Sequence, residues 1–291
     1  MDAIVLKNVT DKGEPLEVSF LPHKGMNMIS FRKGNIEVID QSTRESFEYR
    51  FAGLGALIGP HFHRRLPEVV PKGYDESLFP HIARVKSQGI LDPFSHGISR
   101  YAPWKTTRVE QAMVSAVLSG KDTWNGIPLE ILEGQNFRMS FSARLEQDGL
   151  YLHISVVSDY DSLIGLHYYY HLPEGRGTVV STVQNTFIEN KQRKPLRERF
   201  PGHSQQSLHC DLKEAYDCTF FPFPDPLEGK ILLDAGAYRL ETTYSSSSQE
   251  NSWQLYHPAG ASYVCIEPLS AQDPHHPNLS VSSLMVHLRI L

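Results

Sequence analysis

Glu267 closes an apolar run, Tyr263-Val264-Cys265-Ile266, and stands directly before Pro268. A carboxylate at the end of a buried strand has to be paired or functional, because burying its charge is costly. The proline is expected to end strand pairing there and to leave the side chain at the rim of a sheet. Burial would raise the carboxyl pKa toward neutrality and make its anion a stronger base. Three further clusters carry imidazoles and guanidiniums beside turn residues. "GALIGPHFHRR" holds His61, His63, Arg64 and Arg65; "PFSHGISRYAPW" holds His96, Arg100 and Trp104; "GLHYYYHLP" sets three tyrosines between His167 and His171. A histidine at a strand end is ordinarily a polar residue with a hydrogen-bond partner, so no one cluster is a site by itself.

The elements that have to position these groups read as strands. Polar and apolar residues alternate with a period of two, broken at short intervals by turn residues. "MNMISFRKGNIEVID" gives two strands around a Lys33-Gly34-Asn35 turn, and "FRMSFSARLEQDGLYLHISVV" a hairpin turning at Asp148-Gly149. "KILLDAGAYRLETTY", "SWQLYHPAGASYVCIEP" and the closing "SLMVHLRIL" repeat the form. In "TTRVEQAMVSAVLSG", Val109, Ala112, Met113, Ala116 and Val117 fall at helical spacing, but β-branched content and the neighbouring hairpins favour strand. With no interior linker and no repeat, the expectation is an all-β protein: one antiparallel β-sandwich domain over residues 1–291. In a strand, His167, Tyr169 and His171 share one face and Tyr168 and Tyr170 the other. The first two are expected to face a cleft, Tyr168 and Tyr170 to pack inward, and His171 to lie outside the chemistry.

Bulk properties narrow the partners. A net charge of −5 gives no reason to expect nucleic acid or an anionic membrane. No apolar run approaches the roughly 20 residues of a membrane span, and the N-terminus lacks a signal pattern, so a cytoplasmic location is expected. Cys210, Cys218 and Cys265 show no CxxC spacing and are expected to be reduced and buried.

Taken in order, the clusters resemble the aldose 1-epimerases, or mutarotases, including the hexose-6-phosphate branch. "IGPHFHRR" is similar to the family's Ile-Gly-x-x-x-Asn-Arg segment, with Arg64 at the arginine position and His63 where asparagine is usual. "HGISRYAPW" resembles His-Gly-Phe-Ala-Arg…Trp, "LHYYYHLP" resembles His-x-Tyr-Phe-x-Leu, "AYDCTF" resembles Tyr-Asp-x-x-Phe, and "CIEP" matches Cys-x-Glu-Pro around the catalytic glutamate. Tyr170 replaces a phenylalanine, and the family offers no counterpart for His275-His276. The resemblance covers residues from about Gly25 to Leu291. It implies the galactose mutarotase-like supersandwich, with a sugar in a cleft on its concave face.

Interconverting sugar anomers needs a base at the C1 hydroxyl and an acid at the ring oxygen, each worth roughly 10²- to 10⁴-fold when well placed. No metal or organic cofactor is required. Glu267 is the expected base. His167 is the expected acid, kept protonated by a carboxylate such as Asp217. His96 would bind the ring oxygen or a neighbouring hydroxyl, Arg64 would orient the sugar and Glu267, and the resemblance places Asp217 on sugar hydroxyls. Trp104 and Tyr169 would stack on a pyranose. The expected partner is a small sugar or sugar phosphate, bound by a monomer or homodimer, with Arg65, Arg84 and Arg100 available to a phosphate. Three other readings stay open: a carbohydrate-binding protein without catalysis, a cupin-like metal enzyme using His61-x-His63, and a glycoside hydrolase using Glu267 with Asp217.

Overall fold

Alternation along the strands is the organising fact of the molecule. In Phe137–Glu146 every second residue, from Phe137 to Leu145, is buried while its neighbours reach solvent. Strands of this pattern satisfy their backbones sideways and bury one face, so they stack as layers. The structure is a computed structural model describing residues 3–200 and 206–291.

Two antiparallel layers result. The first runs Ile4–Val9, Pro15–Leu21, Asn27–Lys33, Gly55–Ile58, Gly165–His171, Tyr263–Leu269, Ser252–His257 and Tyr216–Pro222. The second runs Lys105–Glu110, Met113–Ser119, Phe137–Glu146, Gly149–Ser162, Leu279–Ile290, Arg239–Ser246 and Glu228–Asp234. Thr178–Glu189 belongs to both. Its start pairs with Glu228–Asp234 and Ser207–Asp211 in the second layer, and its end pairs with Tyr216–Pro222 and Gln192–Pro195 in the first. A register shift between Val183 and Phe187 marks the crossing. Phe20, Phe31, Phe141, Tyr168, Tyr170 and Leu288 belong to the core of buried side chains between the layers.

The expected all-β antiparallel sandwich is therefore what the chain forms, and "TTRVEQAMVSAVLSG" is a strand pair. Two local expectations differ. Glu146 pairs with Gly149, so the hairpin turns at Gln147-Asp148, and Gly149, whose φ is +150°, begins the next strand against Leu288. Pro268 does not end its strand, which continues to Leu269 and leaves Glu267 1% exposed in the sheet interior. Pairing with Gly165–His171 holds at Tyr168–Ile266 and again at Gly165–Leu269. It lapses between them, where the proline offers no N–H.

The main departure from pure β structure lies between Ile58 and Lys105. This stretch carries the helix Pro80–Ser87 and long irregular segments, and lies over the face of the first layer that points away from the second. Phe51, Phe79, His81, Phe94, Tyr101 and Trp124 hold it down as a cluster of edge-on and stacked rings.

Candidate active site

Register places the chemistry. Ile188, Thr219, Gln254 and Glu267 stand opposite one another on consecutive strands, and the pairing that sets Tyr168 against Ile266 brings His167 next to Glu267. Residues in such a cross-strand row share one face. The row forms the floor of a cavity of about 400 Å³, with Thr219, Gln254, Glu267 and His167 all lining it. Strand alternation divides the tyrosines as expected: Tyr169 lines the cavity, while Tyr168 and Tyr170 lie in the core. His171 sits outside, 3.8 Å from Asp40.

One wall is built by two loops zipped together. Gly59 N–H donates to the His96 carbonyl at 2.9 Å, and His96 N–H donates to the His63 carbonyl at 2.8 Å. Gly97 has φ +88°, and a Cβ there would stand 2.0 Å from the Gly59 carbonyl oxygen, so only glycine permits the approach. Buried charges lock the loops. His61 Nδ1 lies 2.5 Å from Glu133 Oε1, Arg65 grips Asp92 at 3.0 and 3.3 Å, and the other Glu133 oxygen accepts from Ile98 N–H at 2.9 Å. His61 and Arg65 therefore serve structure. His63 turns the other way, with φ +57°, and faces His275 with ring centroids 5.6 Å apart. The two histidines of His61-x-His63 lie beyond the strand Gly55–Ile58 and do not share a face, which removes the basis of a cupin-like ligand pair.

Glu267 and His167 form the centre. Glu267 Oε1 lies 3.4 Å from His167 Nε2, and both side chains are almost wholly buried. Among the described residues, Glu267 Oε2 and His167 Nδ1 have no hydrogen-bond partner. Burial pushes the Glu267 carboxyl well above its ordinary range, helped by Asp217 and opposed by Arg100. Burial, followed by the Arg100 charge, pushes His167 well below its own. Both shifts favour the neutral form of each group, a carboxylic acid beside a neutral imidazole. His167 stacks on Tyr169 at 4.9 Å and meets the edge of His96 at 5.0 Å. Cys265, fully buried two residues before Glu267 on the same strand face, brings its sulfur within 4.8 Å of donor atoms of His167 and Glu267.

Of the other expected residues, His96, Asp217, Arg64 and Arg100 all line the cavity. The arginine that acts on Glu267 is Arg100, buried and tied through Nε to the Phe51 carbonyl. Gly25, with φ +70°, lets the chain pass against the Arg100 backbone, where a Cβ would lie 2.0 Å from its carbonyl oxygen. Arg64 is exposed at the mouth beside Lys191, rather than in line to orient Glu267. Asp217 accepts from Gln254 Nε2, and its pKa is raised by burial against that bond. It is not the group that charges His167, on which the largest electrostatic influence is Arg100.

Trp104 is not at the site. It is buried against Phe141, and its indole N–H donates to the Ser99 carbonyl at 2.9 Å, so it anchors the Arg100 loop. Arg84 donates to the Tyr49 carbonyl and stacks on the Tyr49 ring, outside the cavity lining. Sequence reasoning missed Gln254, Thr219 and Tyr256. The available signal was parity in "SWQLYH", where Gln254 and Tyr256 alternate with Trp253 and Leu255.

The fold is that of the galactose mutarotases and aldose 1-epimerases. The Slr1438 protein from Synechocystis sp. PCC 6803 superposes with a TM-score of 0.67 at 16% identity, covering 100% of this chain and 96% of that one. A GalM/aldose epimerase homologue from C. elegans gives 0.67 at 12% identity, over 100% and 99%. A galactose mutarotase-like protein from Lactobacillus casei ATCC 334 gives 0.65 at 12% identity, over 100% of both. No family model and no curated protein sequence matches the chain.

Proposed function

We propose that the protein is an aldose 1-epimerase that interconverts the α and β anomers of an aldohexose, with a 6-phosphorylated sugar as its preferred substrate. The observation carrying this reading is the Glu267–His167 pair, with Oε1 3.4 Å from Nε2 on the floor of a sugar-sized cavity. Anomerisation moves one proton off the C1 hydroxyl and one onto the ring oxygen. A buried carboxyl–imidazole pair sharing one exchangeable proton is the minimal device for both moves.

A bound sugar offers its C1 hydroxyl to Glu267 and its ring oxygen to His167. These contacts favour the tautomer with the proton on the imidazole, while the Arg100 charge favours the carboxylate of Glu267 and opposes an imidazolium at His167. Glu267 then takes the hydroxyl proton as His167 protonates the ring oxygen, and the C1–O5 bond opens. Rotation about C1–C2 presents the other carbonyl face. His167 recovers its proton from the C5 hydroxyl as Glu267 returns its own to the carbonyl oxygen, and the ring closes inverted at C1. Asp217, held by Gln254, accepts from sugar hydroxyls, while His96 donates to the ring oxygen or its neighbour. Tyr169 stacks on the pyranose.

Arg64, Lys191, His63 and His275 crowd the mouth. Burial, His275, Arg64 and Lys191 together push His63 down to about 4, so the mouth is an electropositive rim whose histidines stay neutral near pH 7. Such a rim suits a phosphate remote from C1.

Saturation-transfer NMR between anomers of glucose, galactose and glucose 6-phosphate tests the reading. Exchange above the buffer rate, fastest with the phosphate ester, supports it. No acceleration with any of the three refutes catalysis on them. Sugar binding without exchange would establish the carbohydrate-binding alternative.

A further inference from the structure

Cys265 has no part in the proton transfers above, yet it places a sulfur beside both groups that perform them. One donor atom each from His167, Cys265 and Glu267 lie within 4.8 Å of one another, and all three residues are buried. The remaining Glu267 oxygen, Oε2, and His167 Nδ1 are buried without a hydrogen-bond partner among the described residues, which leaves polar capacity of the pair unmet. Glu267 Oε1 and His167 Nε2 stand 3.4 Å apart. That is close to the roughly 3.3 Å between two ligands at about 2.0 Å around a tetrahedral ion.

We propose that His167, Cys265 and Glu267 form a site for a thiophilic divalent cation, of the zinc type, that shuts the catalytic pair. The chemistry favours such an ion over magnesium or calcium. A thiolate and an imidazole are borderline-to-soft ligands, whereas those hard ions prefer oxygen alone. One thiolate, one carboxylate and one neutral imidazole balance a dication, so the occupied site is electroneutral, which lessens the cost of burial. Binding expels the thiol proton and the carboxyl proton to buffer, with no change of oxidation state. The nearby Arg100 guanidinium opposes the cation and limits its affinity. His167 and Glu267 line the cavity, from which a water would complete a four-ligand shell.

The consequence is inhibition. The metal takes the lone pairs that Glu267 and His167 use on the sugar, so it competes with substrate. The inference builds on the proposed acid–base pair, but occupancy of the site can be read without any catalytic activity.

Cobalt(II) titrated into the reduced full-length protein reports the site directly. A thiolate-to-cobalt charge-transfer band saturating at one equivalent is expected, retained in the Cys210→Ser/Cys218→Ser double variant and lost in Cys265→Ser. Absence of the band, or its persistence in Cys265→Ser, overturns the site. Cys265→Ala provides the same comparison should the serine variant not fold. In the anomer-exchange assay, zinc should inhibit wild type reversibly on chelation, while Cys265→Ser keeps its uninhibited rate and needs at least about tenfold more zinc. Equal zinc sensitivity in the two proteins, or equal inhibition by magnesium, overturns the regulatory half of the proposal. A cobalt band in a protein that fails to exchange sugar anomers would uphold the metal site and remove the mutarotase reading instead.

Discussion

Gln254 holds Asp217 in place: its amide Nε2 donates to Asp217 Oδ1, while its carbonyl accepts from Thr219 Oγ1 at 2.5 Å. The three side chains come from two paired strands, and Gln254 also stands in register with Glu267. A chain of hydrogen bonds thus connects the carboxylate proposed to bind sugar hydroxyls to the floor that carries Glu267. Gln254→Leu removes the chain and leaves Asp217 free to rotate. A hydrogen bond to a charged group contributes about 1.5–3 kcal/mol, so KM should rise at least roughly tenfold. Steady-state exchange kinetics should show kcat falling less than KM rises.

Glu267→Gln removes the proposed base and should lower the exchange rate by about 10²- to 10⁴-fold. Its effect on stability has the opposite sign. The folded-state pKa is raised from 4.5, so the stability Glu267 contributes is full below that value and declines as pH rises above it. Glutamine carries no charge to bury. The melting temperature of the variant relative to wild type should therefore climb between acid and mildly alkaline pH, in scans across that range.

The pH–rate profile should be a wide bell. The active pair holds one proton; a second proton on His167 silences it in acid, and loss of the single proton silences it in alkali. Burial and Arg100 displace the His167 limb below 6.5, and burial displaces the Glu267 limb far above 4.5. Asp217, His96 and His63 also face this pair, and Asp217→Asn should draw the alkaline limb downward because it removes a charge that raises Glu267. A narrow bell with both limbs near their ordinary values would contradict the assignment.

Asp92 anchors the loop that carries His96. It binds Arg65, His61 and the Phe94 N–H; burial works to raise its carboxyl, but the bonds and charges of His61 and Arg65 outweigh that and hold it far below the usual carboxylate range. Stability from this group is present above the unfolded value of 3.8 and lost as pH falls below it. Asp92→Asn leaves the buried Arg65 charge without its carboxylate, which costs about 3–5 kcal/mol. Denaturant unfolding near neutral pH should show that loss, and the gap should narrow in acid.

Arg64→Ala combined with Lys191→Ala strips the rim of two cations. KM for glucose 6-phosphate should rise while KM for glucose stays within about twofold, since solvent-facing charges act mainly on the charged substrate. Parallel changes for both sugars would detach the rim from substrate choice.

Much of this was legible along the chain. Period-two patterning gave the strands and the antiparallel sandwich, and alternation alone separated His167 and Tyr169 from Tyr168 and Tyr170. Glu267 stood out because a carboxylate in an apolar strand needs a reason. Trp104 and Arg65 misled for a physical cause: an indole or a guanidinium looks the same in sequence whether it meets a ligand or a backbone carbonyl. The Ile58–Lys105 stretch has no strand period, so its course over the sheet could not be read from local pattern.

The sequence by itself therefore determined the strands, the layer type and the identity of the acid–base candidates, because these depend on residue type and on spacing within one strand. Tertiary structure decided the rest. That Arg100 rather than Arg64 faces Glu267, that Gln254 braces Asp217, and that Cys265 adjoins the Glu267–His167 pair all depend on tertiary placement of segments distant in sequence. Cross-strand register is set by core packing and backbone hydrogen bonding of the whole sheet, which no single segment encodes.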